Sequence, residues 1–320
     1  MSDFAVLIPT PTMPLIVDGL AAKMTVYKIW EQADEKAFLA AHAGKVTAIA
    51  GSFHARKIDE AFMKQFPNLK IVSNFGVGYD GVDAAYAGKH GITVTNTPDV
   101  LTEEVADLAL GLLLSTVREL PRAEHHLRAG KWPQGPYPLS ATLQGRTMGV
   151  LGLGRIGKAI ARRAEAFGVK VAYTGRNKQA GVAYPYYADL TALARDVDIL
   201  MVVAPGSAST YRIVNKQVLE ALGPNGILIN VARGSVVDEP ALIEALKAKK
   251  ILAAGLDVFE HEPKVPAELI ALENTVLLPH VGSASVATRN AMGQLVVDNV
   301  ASFAAGKGPL TPVAETPWKA

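Results

Sequence analysis

The chain has 320 residues, of which 49% are hydrophobic and 19% are charged, and its net charge is +2. This length allows two domains, and the apolar content excludes a disordered chain because burial can offset the entropy of ordering. The basic residues are scattered, so we expect no surface for nucleic acid or another polyanion. Cysteine is absent, which excludes disulfides, thiolate catalysis and zinc–thiolate sites.

The sequence gives no sign of a membrane or export signal. Residues 1–4 carry no basic segment ahead of the first apolar run, unlike a secretory signal. The longest apolar helical stretch, residues 105–117, is too short to span a bilayer and contains Asp107. We therefore expect a soluble protein of the cytoplasm.

Short apolar runs alternate with helical patterns through the first hundred residues. A helix is expected at about 59–65, and strands at 5–9, 46–50, 69–73 and 93–96. Such alternation is typical of a parallel α/β sheet. Pro98 interrupts the pattern, because a proline disfavours helix at the residue before it.

A long apolar helix is predicted next. Thr102 is its expected N-cap, apolar residues continue from Val105 to Leu120, and Pro121 is expected to end it. Residues 122–145 are more polar and include a loop at 130–133. A second strand–helix alternation then begins. Its strands are expected at 147–151, 170–173, 199–203, 226–230, 251–256 and 276–278, and a last helix at about 285–304.

These elements predict an α/β protein with two doubly wound parallel-sheet domains, both Rossmann-like, one inserted into the other. We expect residues 1–97 and 285–320 to form the outer domain and residues 98–284 to form the inserted one.

A glycine-rich turn joins the predicted strand 147–151 to a helix at 158–167. Its residues are Gly152, Leu153, Gly154, Arg155, Ile156 and Gly157. In this context the first glycine permits a tight turn, the second lets the backbone approach a pyrophosphate, and the third packs helix against strand. The helix N-terminus adds amide donors and a positive dipole end. A glycine-rich turn without a ligand is the structural alternative; the strand–turn–helix context favours a dinucleotide.

The next strand ends in a basic turn. An acid at this point usually bonds the ribose 2′-hydroxyl of NAD, but the turn here contains Thr174, Arg176, Asn177 and Lys178 and no carboxylate. Arg176 and Lys178 can pair with a 2′-phosphate, and Thr174 or Asn177 can add hydrogen bonds. A solvated basic turn is the alternative. The pattern favours NADPH over NADH.

Arg233, Glu262 and His280 each follow a predicted strand of the inserted domain. Ligands of doubly wound sheets bind beyond the carboxyl ends of the strands, so we expect the three to meet. Reduction of a 2-oxo acid needs a cation for the carboxylate, a proton donor for the ketone oxygen, and a group that keeps the donor protonated. Arginine, histidine and glutamate suit these roles in turn. We expect them beside a nicotinamide ring, in a groove between the domains.

Each of these residues has a structural alternative when taken alone. His280 could be a satisfied structural histidine, Glu262 a solvated loop acid, and Arg233 part of a helix-capping ion pair. His261 is interpreted as a surface residue. His125 and His126 fall on a probable helix, but adjacent residues do not face one another, so no metal site is expected.

Five segments together resemble the D-isomer-specific 2-hydroxy acid dehydrogenases over essentially the whole chain. They are residues 74–80 (NFGVGYD), 151–157 (LGLGRIG), 230–234 (NVARG), 255–263 (GLDVFEHEP) and 279–283 (PHVGS). Within that family the chain looks most like the NADPH-dependent glyoxylate/hydroxypyruvate reductases and the plant-type hydroxyphenylpyruvate reductases. Residues 97–102 (TPDVLT) and the basic turn carry the closer likeness.

The resemblance implies roles for further residues. The outer domain would be the flavodoxin-like substrate-binding domain, and the inserted one would bind NAD(P). Val77 and Gly78 would offer backbone amides to the substrate carboxylate, opposite Arg233. Asp257 would accept a hydrogen bond from the nicotinamide carboxamide. Further cofactor contacts implied in this way are Thr102, Ala204, Pro205, Val231, Ala232, His280 and Gly282.

The resemblance also implies a homodimer joined through the nucleotide domains. A tryptophan of the similar reductases reaches the partner's active site, and Trp132 corresponds to it, although Trp132 could equally pack within an interface. A reductase for bulkier acids, such as hydroxyphenylpyruvate or 2-ketogluconate, stays an alternative that the pocket lining near residues 52–54, Leu139 and Met292 would decide. A non-catalytic NAD(P)-sensing protein on the same fold is a second alternative.

Overall fold

The structure is a computed structural model that describes residues 4–53 and 56–318. The chain divides into two compact units, Met1–Leu101 with Ser285–Ala320, and Thr102–Ala284. Both units are parallel α/β sheets with helices, as the alternation of strand and helix patterns predicted.

The first unit contains a five-stranded parallel sheet in the described residues, with the order β2-β1-β3-β4-β5. Its strands are β1 Ala5–Ile8, β2 Thr25–Lys28, β3 Val46–Gly51, β4 Ile71–Asn74 and β5 Thr93–Thr95. Its helices are α1 Pro14–Ala21, α2 Glu35–His42, α3 Glu60–Met63, α4 Ala84–Lys89 and the closing α12 Val286–Ala304. Every residue of β1 and β4 is buried, as expected for strands covered on both faces. Helix α12 packs on α1 and on β4.

The second unit contains a seven-stranded parallel sheet in the described part of the chain, with the order β12-β11-β10-β9-β6-β7-β8. Its strands are β6 Thr147–Leu151, β7 Lys170–Thr174, β8 Tyr186–Tyr187, β9 Ile199–Val202, β10 Ile227–Asn230, β11 Ala253–Leu256 and β12 Thr275–Leu277. Its helices are α5 Thr102–Val117, α6 Leu120–Arg128, α7 Arg155–Ala166, α8 Leu190–Asp196, α9 Lys216–Leu222, α10 Glu239–Lys247 and α11 Ala267–Ile270. The order reverses between β6 and β9, which is where sheets of this type bind ligands.

The long helix differs from its prediction at both ends. It begins at Thr102 itself and ends at Val117, and Pro121 lies in the first turn of α6. A proline is tolerated there because its missing N–H would have no partner within the helix. The break falls at Glu119, whose φ is +53°. No helix within residues 4–53 and 56–318 combines the length and the apolar run needed to cross a membrane.

Candidate active site

The glycine-rich turn has the geometry of a phosphate cradle. Gly152 has φ +98°, and a Cβ there would lie 2.8 Å from the backbone of Ala204. A Cβ on Gly157 would lie 2.3 Å from the Gly152 carbonyl oxygen. Gly154 is different, because a Cβ there would meet no atom within 4 Å. Packing therefore requires two of the glycines, whereas the third leaves open space at the N-terminus of α7.

That open space lies at the N-terminus of a helix. Gly154 is the N-cap of α7 and no side chain caps the helix, whose first residues are Arg155 and Ile156. The first amides of a helix lack intrahelical partners and attract anions. The turn therefore fits the pyrophosphate of a dinucleotide, held by the backbone between Gly152 and Gly157.

The predicted 2′-phosphate contacts lie at the end of β7. Thr174 is buried as the last residue of that strand, whereas Arg176, Asn177 and Lys178 are exposed on the turn that follows. The exposed cations can reach a ligand in solvent without the cost of desolvating a buried charge.

Three hydrogen bonds that the sequence did not reveal hold this turn. The Tyr173 hydroxyl accepts from the Gln179 N–H at 2.8 Å, and the Gln179 side chain donates to the Leu153 carbonyl at 2.7 Å. The Tyr186 hydroxyl donates to the Gly175 carbonyl at 3.2 Å. Gln179 thus connects the basic turn to the glycine-rich turn. The sequence did not single out Gln179, because it is uncharged and follows the last cation of the turn, Lys178.

Arg233, Glu262 and His280 follow three strands that are neighbours in the sheet. Strand β10 pairs with β11, and β11 pairs with β12, all in parallel. The carboxyl ends of these strands lie at one edge of the sheet, and the three residues follow those ends. That Arg233 meets the other two stays a prediction.

Two of these residues are directly bonded. His280 Nδ1 lies 2.7 Å from Glu262 Oε2, and the two side chains are 33% and 30% exposed. The other carboxylate oxygen, Oε1, accepts from the Phe259 N–H at 3.0 Å. His280 has φ +54°, a region that costs energy for a residue other than glycine and is found at functional sites. A partly exposed imidazole held by a carboxylate can donate a proton to a ligand.

Asp257 orients the segment after His280. It is 1% exposed, and its two oxygens accept from the Val281 N–H at 2.7 Å and the Gly282 N–H at 2.8 Å. Burial raises the pKa of this carboxyl, although both amide donors oppose the shift. The family resemblance predicts that Asp257 contacts the nicotinamide. The structure shows that Asp257 also holds the segment after His280 through its two hydrogen bonds.

The Arg233 turn is held by Asn230, which the residue-type argument did not single out. Asn230 is 1% exposed; its Oδ1 accepts from the Ala232 N–H and its Nδ2 donates to the Arg233 carbonyl, both at 3.0 Å. Arg233 Nη1 donates to the Ala232 carbonyl at 2.8 Å. The buried amide shapes the turn of Val231, Ala232 and Arg233 at the end of β10.

In the first unit, Gly76–Gly78 form what we term the amide loop. Asn74 Nδ2 donates to the carbonyls of Gly76 at 3.1 Å and Gly78 at 3.0 Å, and Asn96 Nδ2 donates to the Val77 carbonyl at 2.8 Å. In a trans peptide the N–H points away from the preceding carbonyl. The amides of Val77 and Gly78 are therefore turned away from the two asparagines, as a backbone site for an anion requires.

The remaining predicted residues are distributed as follows. Thr102 is half-buried at the first position of α5, Ala204 and Pro205 follow β9, and Trp132 is 64% exposed in a short 3-10 helix. Among the described residues no group of three or more His, Asp or Glu side chains is arranged to hold a metal ion. His126 instead packs edge-on against Tyr137, with ring centroids 5.4 Å apart.

The residues expected to line the substrate pocket differ in their exposure to solvent. Met292 is 2% exposed and Leu139 is fully exposed, while Ser52 is half-buried. His54 lies outside the described residues.

Comparison with known proteins identifies the family. Residues 110–282 match the model of the D-isomer specific 2-hydroxyacid dehydrogenase NAD binding domain. The chain belongs to the D-isomer specific 2-hydroxyacid dehydrogenase family. It is 45% identical to glyoxylate/hydroxypyruvate reductase A of Arabidopsis thaliana, over 98% of this chain and 100% of that protein. It is 44% identical to a hydroxyphenylpyruvate reductase of Plectranthus scutellarioides, with the same coverage.

A solved structure agrees with these relatives. It is an NADPH-dependent glyoxylate/hydroxypyruvate reductase from Sinorhizobium meliloti in complex with NADP and malonate. It is 52% identical, with a TM-score of 0.94, and the match covers 100% of this chain and 99% of that one. This dehydrogenase therefore has the fold and the nucleotide-binding domain of its family.

Proposed function

We propose that this dehydrogenase reduces small 2-oxo acids, glyoxylate and hydroxypyruvate, to 2-hydroxy acids with NADPH. The observation that carries the proposal is the 2.7 Å contact between His280 Nδ1 and Glu262 Oε2, at the sheet edge that also carries Arg233. The Sinorhizobium reductase, which holds NADP and the dicarboxylate malonate, supports the choice of cofactor and of an acidic substrate.

The cofactor would be held by the glycine-rich turn, with its adenosine side beside Ala204 and Pro205 and its nicotinamide side near Thr102, Asp257 and Gly282. Val231 and Ala232 would complete the contacts. When bound, the reduced nicotinamide supplies the hydride that the ketone carbon receives. Arg176 and Lys178 would pair with the 2′-phosphate, helped by Thr174 and Asn177, and this pairing gives the preference for NADPH.

His280 supplies the proton. Its Nδ1 is engaged by Glu262, so Nε2 is the atom that we assign as donor to the ketone oxygen. The Glu262 carboxylate stabilises the protonated imidazole before the transfer, because an opposite charge at hydrogen-bond distance favours the charged form. After the transfer, the neutral imidazole regains its proton from solvent.

The substrate carboxylate is recognised by Arg233 and by the amide loop. A guanidinium suits a carboxylate because it can donate two parallel hydrogen bonds. The amides of Val77 and Gly78 add donors whose direction is fixed by Asn74 and Asn96. Residues 1–97 with 285–320 would thus act as the substrate-binding domain and residues 98–284 as the NAD(P)-binding domain.

Bulkier 2-oxo acids are the second candidate, favoured by the 44% identity to a hydroxyphenylpyruvate reductase. The same residues would perform the same chemistry on a larger side chain, such as that of hydroxyphenylpyruvate or 2-ketogluconate. A non-catalytic NAD(P)-sensing role would also use the nucleotide site, but it would leave the bonded His280 and Glu262 without a task.

We further propose a cytoplasmic homodimer joined through the nucleotide domains. Leu120, Leu127 and Trp132 are 49%, 55% and 64% exposed, and exposed apolar side chains grouped along one segment are typical of an interface. Trp132 would then reach the active site of the partner subunit.

Steady-state kinetics test the proposed function. We expect turnover of glyoxylate and hydroxypyruvate with NADPH, a higher kcat/KM than with NADH, and weaker turnover of phenylpyruvate and 2-ketogluconate. A higher kcat/KM for the large acids would favour the second candidate. Binding of NADPH without turnover of any acid would favour the sensing role.

A further inference from the structure

The backbone of Arg212 is hydrogen-bonded to the loop that begins at Arg233. The Arg212 N–H donates to the Ser235 carbonyl at 2.7 Å, and the Val214 N–H donates to the Val236 carbonyl at 3.1 Å. Two backbone hydrogen bonds therefore tie the segment around Arg212 to the Arg233 loop.

The side chain of Arg212 is bonded to a different loop. Its Nε and Nη2 lie 3.1 and 3.0 Å from Glu260 Oε1, and Nη2 lies 3.0 Å from Oε2. Asp238 Oδ1 is 3.8 Å from Nη1, and the Tyr211 ring centroid is 5.4 Å from the guanidinium carbon. The Glu260 side chain is only 7% exposed, so loss of the guanidinium would leave a buried carboxylate without its main counter-charge.

Glu260 belongs to the loop that orients Glu262. The Glu260 N–H donates to Glu239 Oε2 at 3.2 Å, and the preceding N–H, of Phe259, donates to Glu262 Oε1 at 3.0 Å. The amides of Phe259 and Glu260 thus connect the loop to two acids. One is the Glu262 carboxylate beside His280, and the other is the buried Glu239 carboxylate. Any rotation of the loop would move the Glu262 carboxylate.

The two loops also touch through their backbones. A Cβ placed on Gly234 would lie 1.9 Å from the Phe259 carbonyl carbon, which only glycine permits. The residue after Arg233 therefore packs directly on the loop that carries Glu262. Arg212 joins the same two loops by hydrogen bonds at a second point.

The backbone of Arg212 is strained. Its φ is +48°, a conformation that is unfavourable for a side chain with a Cβ and for which glycine is the usual residue. An arginine at such a position indicates that its guanidinium contributes something that glycine would not.

We propose that Arg212 and Glu260 are positioning residues of the reductase, which fix the Glu262 carboxylate against His280 and fix both relative to the Arg233 loop. This inference rests on the proposed function, in which His280 donates the proton. We assign the ion pair no contact with substrate or cofactor. Its effect is on the protonated imidazole, which is faced by two carboxylates, those of Glu262 and Asp257.

Three variants and one control test the proposal. Arg212→Gly removes the guanidinium and relieves the strained φ, which offsets part of the cost of leaving the Glu260 carboxylate without its counter-charge. Glu260→Gln keeps the shape of the side chain but not the charge, and the double variant reports whether the two residues act together. Lys247→Met is the matched control, because it breaks an exposed ion pair with Glu268 in the same unit.

We expect Arg212→Gly and Glu260→Gln each to lower kcat by about 10- to 100-fold, as displacement of a reacting group can do. The dissociation constant of NADPH should stay within about twofold, and the double variant should be no slower than the worse single variant. The alkaline limb of the pH profile of kcat/KM should move to lower pH, because a displaced carboxylate stabilises the imidazolium less. Lys247→Met should change none of these.

Nuclear magnetic resonance of histidine-labelled protein tests the inference without turnover. The imidazole Nδ1–H resonance of His280, assigned with His280→Gln, should move in Arg212→Gly and Glu260→Gln but not in Lys247→Met. An unchanged resonance, or a wild-type pH profile in a slower variant, would overturn the proposal. Lack of turnover by the wild type would instead overturn the proposed function, and the resonance would still report on the loop.

Discussion

The amide loop of the first unit and the His280–Glu262 pair of the second unit are built in opposite ways. In the amide loop the proposed binding groups are backbone N–H groups, and side chains of Asn74 and Asn96 only fix their direction. In the second unit the proposed reacting groups are side chains, and backbone amides of Phe259, Val281 and Gly282 fix the acids around them.

The contrast shows which parts of a site tolerate substitution. A backbone donor survives replacement of its own side chain but depends on distant residues that hold its carbonyls. A reacting side chain is lost with its residue. Substitution should therefore act differently in the two regions, and most strongly at the side chain proposed to donate the proton.

The largest effect should follow removal of the proton donor. His280→Ala should lower kcat by about 10²–10⁴-fold, the usual contribution of a general acid, while the dissociation constant of NADPH changes little. Stopped-flow measurement of NADPH oxidation, beside fluorescence titration of NADPH binding, separates the two. Retention of wild-type turnover would remove His280 from the role of donor.

Charge reversal in the basic turn should act on one cofactor only. Arg176→Asp should reduce kcat/KM with NADPH about 100-fold more than with NADH, because two like charges repel at the 2′-phosphate while the 2′-hydroxyl gains an acceptor. Kinetics with both cofactors measure the ratio. Equal losses with the two cofactors would contradict the phosphate assignment.

The amide loop should respond to a residue that is not itself a donor to substrate. Asn74→Ala should raise KM for the 2-oxo acid about tenfold, because the loop carbonyls lose the donors that fix them, and leave KM for NADPH unchanged. Asn68→Ala is a matched control, since Asn68 donates to the Gly44 carbonyl at 2.7 Å in the same unit. Equal KM values for the two variants would show that the amide loop is not used.

The smallest effect concerns the pH dependence of stability. Burial raises the pKa of the Glu239 carboxyl above its usual value of 4.5, so the folded state retains a proton that the unfolded state has already lost. The stability that the folded state gains from this retained proton is complete below pH 4.5 and is lost as the pH rises through the folded-state pKa. Glu239→Gln should therefore raise Tm by on the order of a few degrees at neutral pH and not at acid pH. Differential scanning calorimetry of the variant and the wild type across pH 4–8 measures this Tm difference. A difference that does not change with pH would contradict the prediction.

The sequence predicted the alternation of strands and helices but not every element. Continuous apolar runs such as residues 199–203 identified buried strands because both faces of a parallel sheet are covered. Strand β2, whose residues are half-buried or exposed, and the two-residue β8 lacked that signal. Pro121 was misjudged because a proline that ends one helix and a proline that begins the next have the same local sequence.

The site was predictable where its chemistry resides in residue types. Glycines, cations, an acid and a histidine at strand ends indicated the glycine-rich turn, the basic turn and the two residues of the His280–Glu262 pair. Gln179, Asn74 and Arg212 were not predictable, because each acts through a contact that only the folded chain brings about. Gln179 illustrates this, since its partner Leu153 lies on another turn of the nucleotide unit.

The packing of Gly234 on Phe259 has a consequence for how this enzyme can diversify. Because the arginine proposed to bind substrate and the acid proposed to hold the proton donor share a close backbone junction, we expect their spacing to persist when residues elsewhere are replaced. A library that varies only the pocket walls can therefore alter which oxo acid is accepted while the chemical step is conserved. Position 234 should be excluded from any such library.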